Sequence, residues 1–218
     1  MQNRKQVDKI HYDFKKYFDK KRWISIWHQL DEVLSTQSKT VLELGPGPGL
    51  FKILAINYGI IVNTIDIDTE LKPDYVASVS NLPFGDRSYD CVCAFQMLEH
   101  IPYEESLQAF KEMGRVAKKH VLISLPDAKI QLVLSLDAYM LSKKIKIKKK
   151  IIHIPFKRIN PKIHRFDGEH YWEIDQKGYS LQKIINDFTT EGIKLKKTYR
   201  VNENPYHRFF VFEKNFKC

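Results

Sequence analysis

Apolar positions change their period along the chain, and each change marks an element. Between residues 6 and 36, Trp23, Ile26, Trp27, Leu30, Val33 and Leu34 recur at three- and four-residue steps, the spacing of a helix with one apolar face. Tyr12, Phe14, Tyr17 and Phe18 precede them on a separate helix. From Thr40 onward, short β-branched and apolar runs alternate with helical periodicity, the signature of βαβ units in an α/β, Rossmann-like fold. Strands are predicted at 40–44, 60–66, 74–77, 89–95 and 120–125. Helices are predicted at 49–58 and at 104–117, the second with Leu107, Phe110, Met113, Gly114 and Val116 inward. The regularity breaks at 127–176, an insertion after the fifth strand. There Ile130 to Leu141 is apolar almost throughout and predicts a helix, and Lys143 to Lys150 follows as a basic run. A helix at 179–188 and strands at 193–201 and 207–214 complete the chain.

The junction of the first strand and the next helix carries the chemistry. Val41-Leu42-Glu43-Leu44 runs into Gly45-Pro46-Gly47-Pro48-Gly49, where glycine allows a sharp turn and close approach of backbone to a ligand. A dinucleotide fingerprint would place its third glycine where Leu50 stands, so the spacing favours a nucleoside without a pyrophosphate. The second strand ends in Asp66, where a carboxylate can accept both ribose hydroxyls of an adenosine.

Val41 to Gly49, Asp66, Leu82-Pro83-Phe84, Ser88-Tyr89-Asp90, Leu98-Glu99-His100 and Arg115-Val116 follow one another in the order of the motifs of class I S-adenosylmethionine-dependent methyltransferases, which residues 38 to 126 resemble. The resemblance implies a seven-stranded, mostly parallel sheet with helices on both faces and an antiparallel last strand, with S-adenosylmethionine as cofactor. It implies that Glu43 faces the methionine end of that cofactor, that backbone at Gly45, Gly47 and Gly49 approaches it, and that Ile67 packs on the adenine. Such enzymes place an acid shortly before Leu-Pro-Phe for the adenine amino group. Here Ser78-Val79-Ser80-Asn81-Leu82 has none, so Asn81 or Ser80 is expected in its place, with neighbouring backbone and Leu82 in the cofactor site. Gln96 to His100 leave the fourth strand beside the transferred methyl. The chain divides into a helical lid at 1–37 and a methyltransferase domain at 38–218, with a substrate cap at 127–176.

The net charge of +10 is concentrated. Ten Lys or Arg and no acid fall between Lys143 and Arg165, which accounts for the whole excess. Three readings of that segment stay open: a solvated face, a contact with an anionic membrane surface, or a track for RNA phosphates. The amino terminus has no apolar stretch of a secretory signal, and no window approaches the roughly 18 apolar residues of a membrane span. Three cysteines, with Cys91 and Cys93 in a strand pattern, suit reduced thiols and a cytoplasmic protein, peripheral at the inner membrane face if the basic run docks there.

Candidate acid–base groups crowd the end of the insertion. His164, Asp167, Glu169, His170, Tyr171 and Trp172 lie within nine residues, with imidazoles suited to taking a hydroxyl proton and rings able to stack on an acceptor or to pack on the core. His170, His164 and His100 are the candidate catalytic residues, and no metal site is assigned. The stretch from Asp167 to Glu173 also resembles bacterial methyltransferases associated with surface-polysaccharide genes. Phe95-Gln96-Met97-Leu98 differs from the Asn/Asp-Pro-Pro-aromatic motif of base N-methylating enzymes, and Asn204-Pro205-Tyr206 lies on the wrong strand to replace it. The expected activity is therefore methyl transfer, to oxygen of a small molecule or of a lipid- or sugar-linked acceptor. An RNA methyltransferase and a non-catalytic cofactor-binding subunit are the alternatives.

Overall fold

The structure, a computed structural model, describes Tyr17 and residues 19–136, 150–155 and 162–214. Helix α1 (Lys20–Ser35) starts on an Asp19 cap, whose side chain accepts from the Arg22 amide at 2.8 Å. Next come β1 (Thr40–Leu44), α2 (Leu50–Ile56), β2 (Ile61–Asp66), β3 (Tyr75–Val76), β4 (Tyr89–Phe95), α3 (Tyr103–Val116) and β5 (Ala117–Pro126). A hairpin of β6 (Gln131–Leu136) and β7 (Lys150–Pro155) follows, then α4 (Leu181–Phe188), β8 (Ile193–Arg200) and β9 (His207–Lys214).

Seven strands form one sheet in the order β3-β2-β1-β4-β5-β9-β8. Strands β1 to β5 pair in parallel, with Val41 opposite Val62 on one side and Cys91 on the other, and β9 runs antiparallel between β5 and β8. The central strands are apolar on both faces because both are covered. Val41, Val62, Cys91, Cys93, Leu122 and Phe209 pack with Leu30 and Val33 of α1 and Phe51 and Ala55 of α2. Their neighbours Leu42, Val92, Ala94, Val121 and Phe210 point the other way, against Phe110 and Met113 of α3 and Ile184 and Phe188 of α4. Cys91 and Cys93 are free and buried in this core, where burial pushes both thiols up.

Two expectations change. The stretch predicted as helix from Ile130 to Leu141 is strand over Gln131–Leu136, paired antiparallel with Lys150–Pro155. An unbroken apolar run has no period to separate helix from strand, and the β-branched Ile151, Ile152 and Ile154 lie opposite and favour pairing. Residues 137–149, with most of the basic run, lie outside the described residues. On α1, Ile26, Leu30 and Val33 are buried, whereas Trp23 and Trp27 are 41% and 59% exposed, so the apolar face is narrower than its periodicity indicates.

Candidate active site

The strand order reverses between β1 and β4, and in open parallel sheets ligands bind in the crevice at such a reversal. A cavity of about 800 Å³ opens there. Its floor is the glycine loop. Gly45 and Gly47 take φ of 65° and 52°, a region that L side chains avoid. At Gly45 a Cβ would also stand 2.2 Å from Cγ of Met97. The Gly45 amide donates to the Ile65 carbonyl at 3.0 Å and draws the loop against the end of β2. Gly49 caps α2 and stays off the cavity wall.

Glu43 is buried on the wall with Oε2 lacking a hydrogen-bond partner. Burial pushes its carboxyl up to about 8, only partly offset by the charge of Lys52. Asp66 ends β2 on the same wall, and its Oδ1 accepts from the Asp68 amide at 2.9 Å. Burial raises its pKa against the pull of the Asp68 and Ile67 amides. Ile67, 38% exposed, gives an apolar surface beside it.

The neighbouring segment departs from expectation. Leu82 is a core residue, its amide donating to Glu112 Oε2 at 2.9 Å and its carbonyl accepting from Arg115 at 3.1 Å. Asn81 is exposed and bonds through its backbone amide to Ser78. The wall here is Ser78 and Val79, with Glu105 of α3 beside them. Ser80 Oγ donates to Glu105 Oε1 at 3.1 Å. A carboxylate from α3 thus lies against the acid-free 78–82 segment, and no local pattern in the sequence could have signalled it.

On the β4 side, Gln96 sits at φ 52°, its amide donating to the Ser124 carbonyl at 2.9 Å. Leu98–His100 then form a single 3-10 turn. Glu99 in that turn is 0% exposed with neither carboxylate oxygen hydrogen-bonded, and burial pushes it up to about 7 against the attraction of His170. The end of the insertion is laid over this turn. The Tyr171 amide donates to the Glu99 carbonyl at 2.8 Å, and Trp172 Nε1 donates to the Ile101 carbonyl at 3.2 Å.

These bonds bring His170 edge-on to His100, ring centroids 4.9 Å apart. His170 Nδ1 meets Glu173 Oε1 at 2.8 Å, and the Tyr206 hydroxyl donates to the same oxygen. Burial works against a charged His170, but the Glu173 bond and the charge of Glu99 outweigh it and raise its pKa. Glu173 is held low by His170 and Tyr206 in spite of its own burial. His100 donates from Nδ1 to the Glu169 carbonyl at 2.9 Å. His164 is off the wall and donates from Nε2 to the His170 carbonyl at 2.9 Å, bracing the loop. Trp172, offered by the sequence as a stacking surface or a core residue, is the latter: it is fully buried among Tyr103, Tyr179 and Phe188.

Sequence reasoning passed over Arg22 and Tyr206. Arg22 lies 3.9 Å above the Tyr17 ring and, among the described residues, is the only Lys or Arg on a wall that carries eight carboxylates.

A sheet with one reversed strand, a glycine loop after β1 and an aspartate closing β2 define the class I fold of S-adenosylmethionine-dependent methyltransferases. The family comparison agrees: residues 42–125 match the family model described as "Methyltransferase domain", and that domain and this fold support S-adenosylmethionine-dependent methyl transfer. No curated protein matches it in sequence. Among solved structures, a Pyrococcus horikoshii protein superposes with TM-score 0.60 at 16% identity, over 96% of this chain and 100% of that one. The 1,6-didemethyltoxoflavin-N1-methyltransferase of Burkholderia thailandensis, solved with bound 1,6-didemethyltoxoflavin and S-adenosylhomocysteine, gives 0.60 at 11% identity, over 94% of this chain and 84% of its own. An S-adenosylmethionine-dependent methyltransferase of Clostridium acetobutylicum gives 0.59 at 9%, over 94% and 96%. At these identities the likeness is one of fold. The unpartnered Glu43 oxygen and the glycine loop on the cavity wall fit S-adenosylmethionine, the cofactor of the class.

Proposed function

We propose that the protein methylates a hydroxyl oxygen of an acceptor that is neutral where it enters the cavity, a small molecule or a lipid- or sugar-linked group. The observation that carries this reading is the meeting of Glu99, His100, His170, Glu173 and Tyr206 on the β4 side, across the glycine loop from Asp66. Bound S-adenosylmethionine supplies a methyl carbon already activated by the sulfonium charge. The chain has to position the acceptor and help it lose a proton. A neutral amine needs no such help, whereas a hydroxyl at neutral pH does, and imidazoles oriented by carboxylates provide it. The excess of carboxylates on the wall repels phosphate and supports this reading over RNA.

On the cofactor side, Glu43 takes the ammonium of the methionine moiety, Gly45 and Gly47 admit its chain, Asp66 takes the ribose hydroxyls, and Ile67 with Val79 and Glu105 receives the adenine. Arg22, Ser25, Ile26 and Gln29 of α1 reach the wall, which supports reading residues 1–37 as a lid. None of the described helices is long and apolar enough to cross a membrane. A cytoplasmic enzyme whose 143–165 segment meets an anionic membrane surface is part of the same proposal.

Labelled methyl from the cofactor, traced into cell extract, should appear in small-molecule, lipid or glycan fractions as a methyl ether. Label confined to nuclease-sensitive material or to N-methyl groups overturns the reading. Asp66→Ala should weaken cofactor binding by about 1.5–3 kcal/mol, the loss of charged acceptors for the ribose hydroxyls, measured by titration calorimetry. Glu43, protonated at pH 7 in the empty site, ionises against the ligand's ammonium. S-adenosylhomocysteine binding at pH 7 should therefore release close to one proton, read from the dependence of the calorimetric enthalpy on buffer ionisation. Glu43→Gln should abolish that release.

A further inference from the structure

The geometry points to a divalent transition-metal site formed by Glu99, His100 and His170 on the acceptor side of the cavity. One carboxylate oxygen and one ring nitrogen from each imidazole lie within 4.8 Å of one another. Ligand atoms bound about 2.0–2.2 Å from one ion stand about 3–4 Å apart, so small side-chain rotations close the set. Two histidines and one carboxylate suit Fe(II), Mn(II), Co(II) or Zn(II), and such a set leaves coordination positions open.

Glu99 supplies the independent observation. It is fully buried, both its oxygens lack a hydrogen-bond partner, and it faces two imidazoles. A carboxylate is costly to bury without a partner that satisfies it, and a metal ion satisfies it. The outer contacts agree. His100 donates from Nδ1 to the Glu169 carbonyl, and His170 Nδ1 meets Glu173, which Tyr206 also holds. A backbone carbonyl or a carboxylate on Nδ1 sets the tautomer in which Nε2 carries the lone pair, the usual second contact of a metal-bound histidine.

An ion in this place deepens the O-methylation reading and, for its chemical role, rests on it. The acceptor hydroxyl binds the ion, which lowers its pKa, and its proton leaves to solvent. The oxygen keeps the O–H pair and forms the bond to the methyl carbon. The carbon–sulfur bond breaks with its pair left on sulfur, which yields methylated acceptor and S-adenosylhomocysteine. Open positions on the ion favour a neutral acceptor with two adjacent oxygens, such as a vicinal diol or a catechol.

The test is calorimetric titration of the chelator-treated full chain with Zn(II), Mn(II) and Co(II), with the Co(II) absorption spectrum as a second readout. One ion per chain is expected, with a visible Co(II) spectrum that reports nitrogen and oxygen ligands. Glu99→Gln and His100→Ala should each weaken binding at least 100-fold while S-adenosylhomocysteine still binds within about threefold, which shows that the variants are folded. Absence of saturable binding to the wild type, or undiminished affinity in both variants, overturns the site. Label found only in N-methyl groups would overturn the acceptor reading and leave the titration standing, so the two fail separately.

Discussion

Trp172→Ala is expected to cost about 3–5 kcal/mol of unfolding free energy, the range for truncating a large buried aromatic. The side chain is 0% exposed, packed on Tyr103, Tyr179 and Phe188, and its indole N–H donates to the Ile101 carbonyl. Truncation leaves both a cavity and a carbonyl without its donor. The damage reaches the site as well, because this bond and the Tyr171–Glu99 backbone bond pin the His170 segment to the turn after β4. Denaturant unfolding checks the first effect. A loss below about 1 kcal/mol would mean that residues 162–176 are not integral to the core. Trp172→Phe keeps most of the packing and loses only the donor, so it should fall well short of the alanine variant.

His170→Ala is expected to lower the rate of methyl transfer by roughly 10²–10⁴-fold, the range for removing a positioned group that assists proton loss. The residue lies between Glu173 and Glu99 on the wall, and the proposed ion would lose a ligand with it. The dissociation constant of S-adenosylhomocysteine should stay within a few-fold, since no cofactor contact is assigned to His170. Single-turnover transfer with saturating cofactor separates the two effects. A variant retaining more than a tenth of the wild-type rate would remove His170 from the chemistry and leave it as a brace for Glu173 and Tyr206.

The glycine loop and the aspartate on the cavity wall were legible in the sequence because their determinants are local. Glycines at alternate positions after an apolar strand, and an aspartate at the end of the next strand, are each set by the few residues around them. Asp66, Gly45 and Gly47 duly stand together on one wall. The rest of the wall is assembled from distant pieces. Glu105 comes to lie beside Ser78 and Val79 because the start of α3 returns over Ser80. Tyr206 reaches Glu173 only through the closing hairpin. Trp172 reads equally well as a stacking ring or as core until Tyr103 and Phe188, far apart in sequence, are seen around it. The β6 strand was missed for a related reason: a uniformly apolar run takes its conformation from its partner.

The reversed direction of β9 bears on when the site comes into being. Its first residue, His207, lies opposite Pro126 at the carboxyl end of β5, so the strand delivers its beginning to the cavity; a parallel strand would have delivered its end. During synthesis the glycine loop and Asp66 exist long before Tyr206 and His207 emerge, and contacts of such sequence separation form late. A nascent chain that stops short of residue 207 has a floor for the cofactor but an open side toward solvent. The Tyr206 contact with Glu173 is then a property of the finished sheet, made only when the last strand is in place.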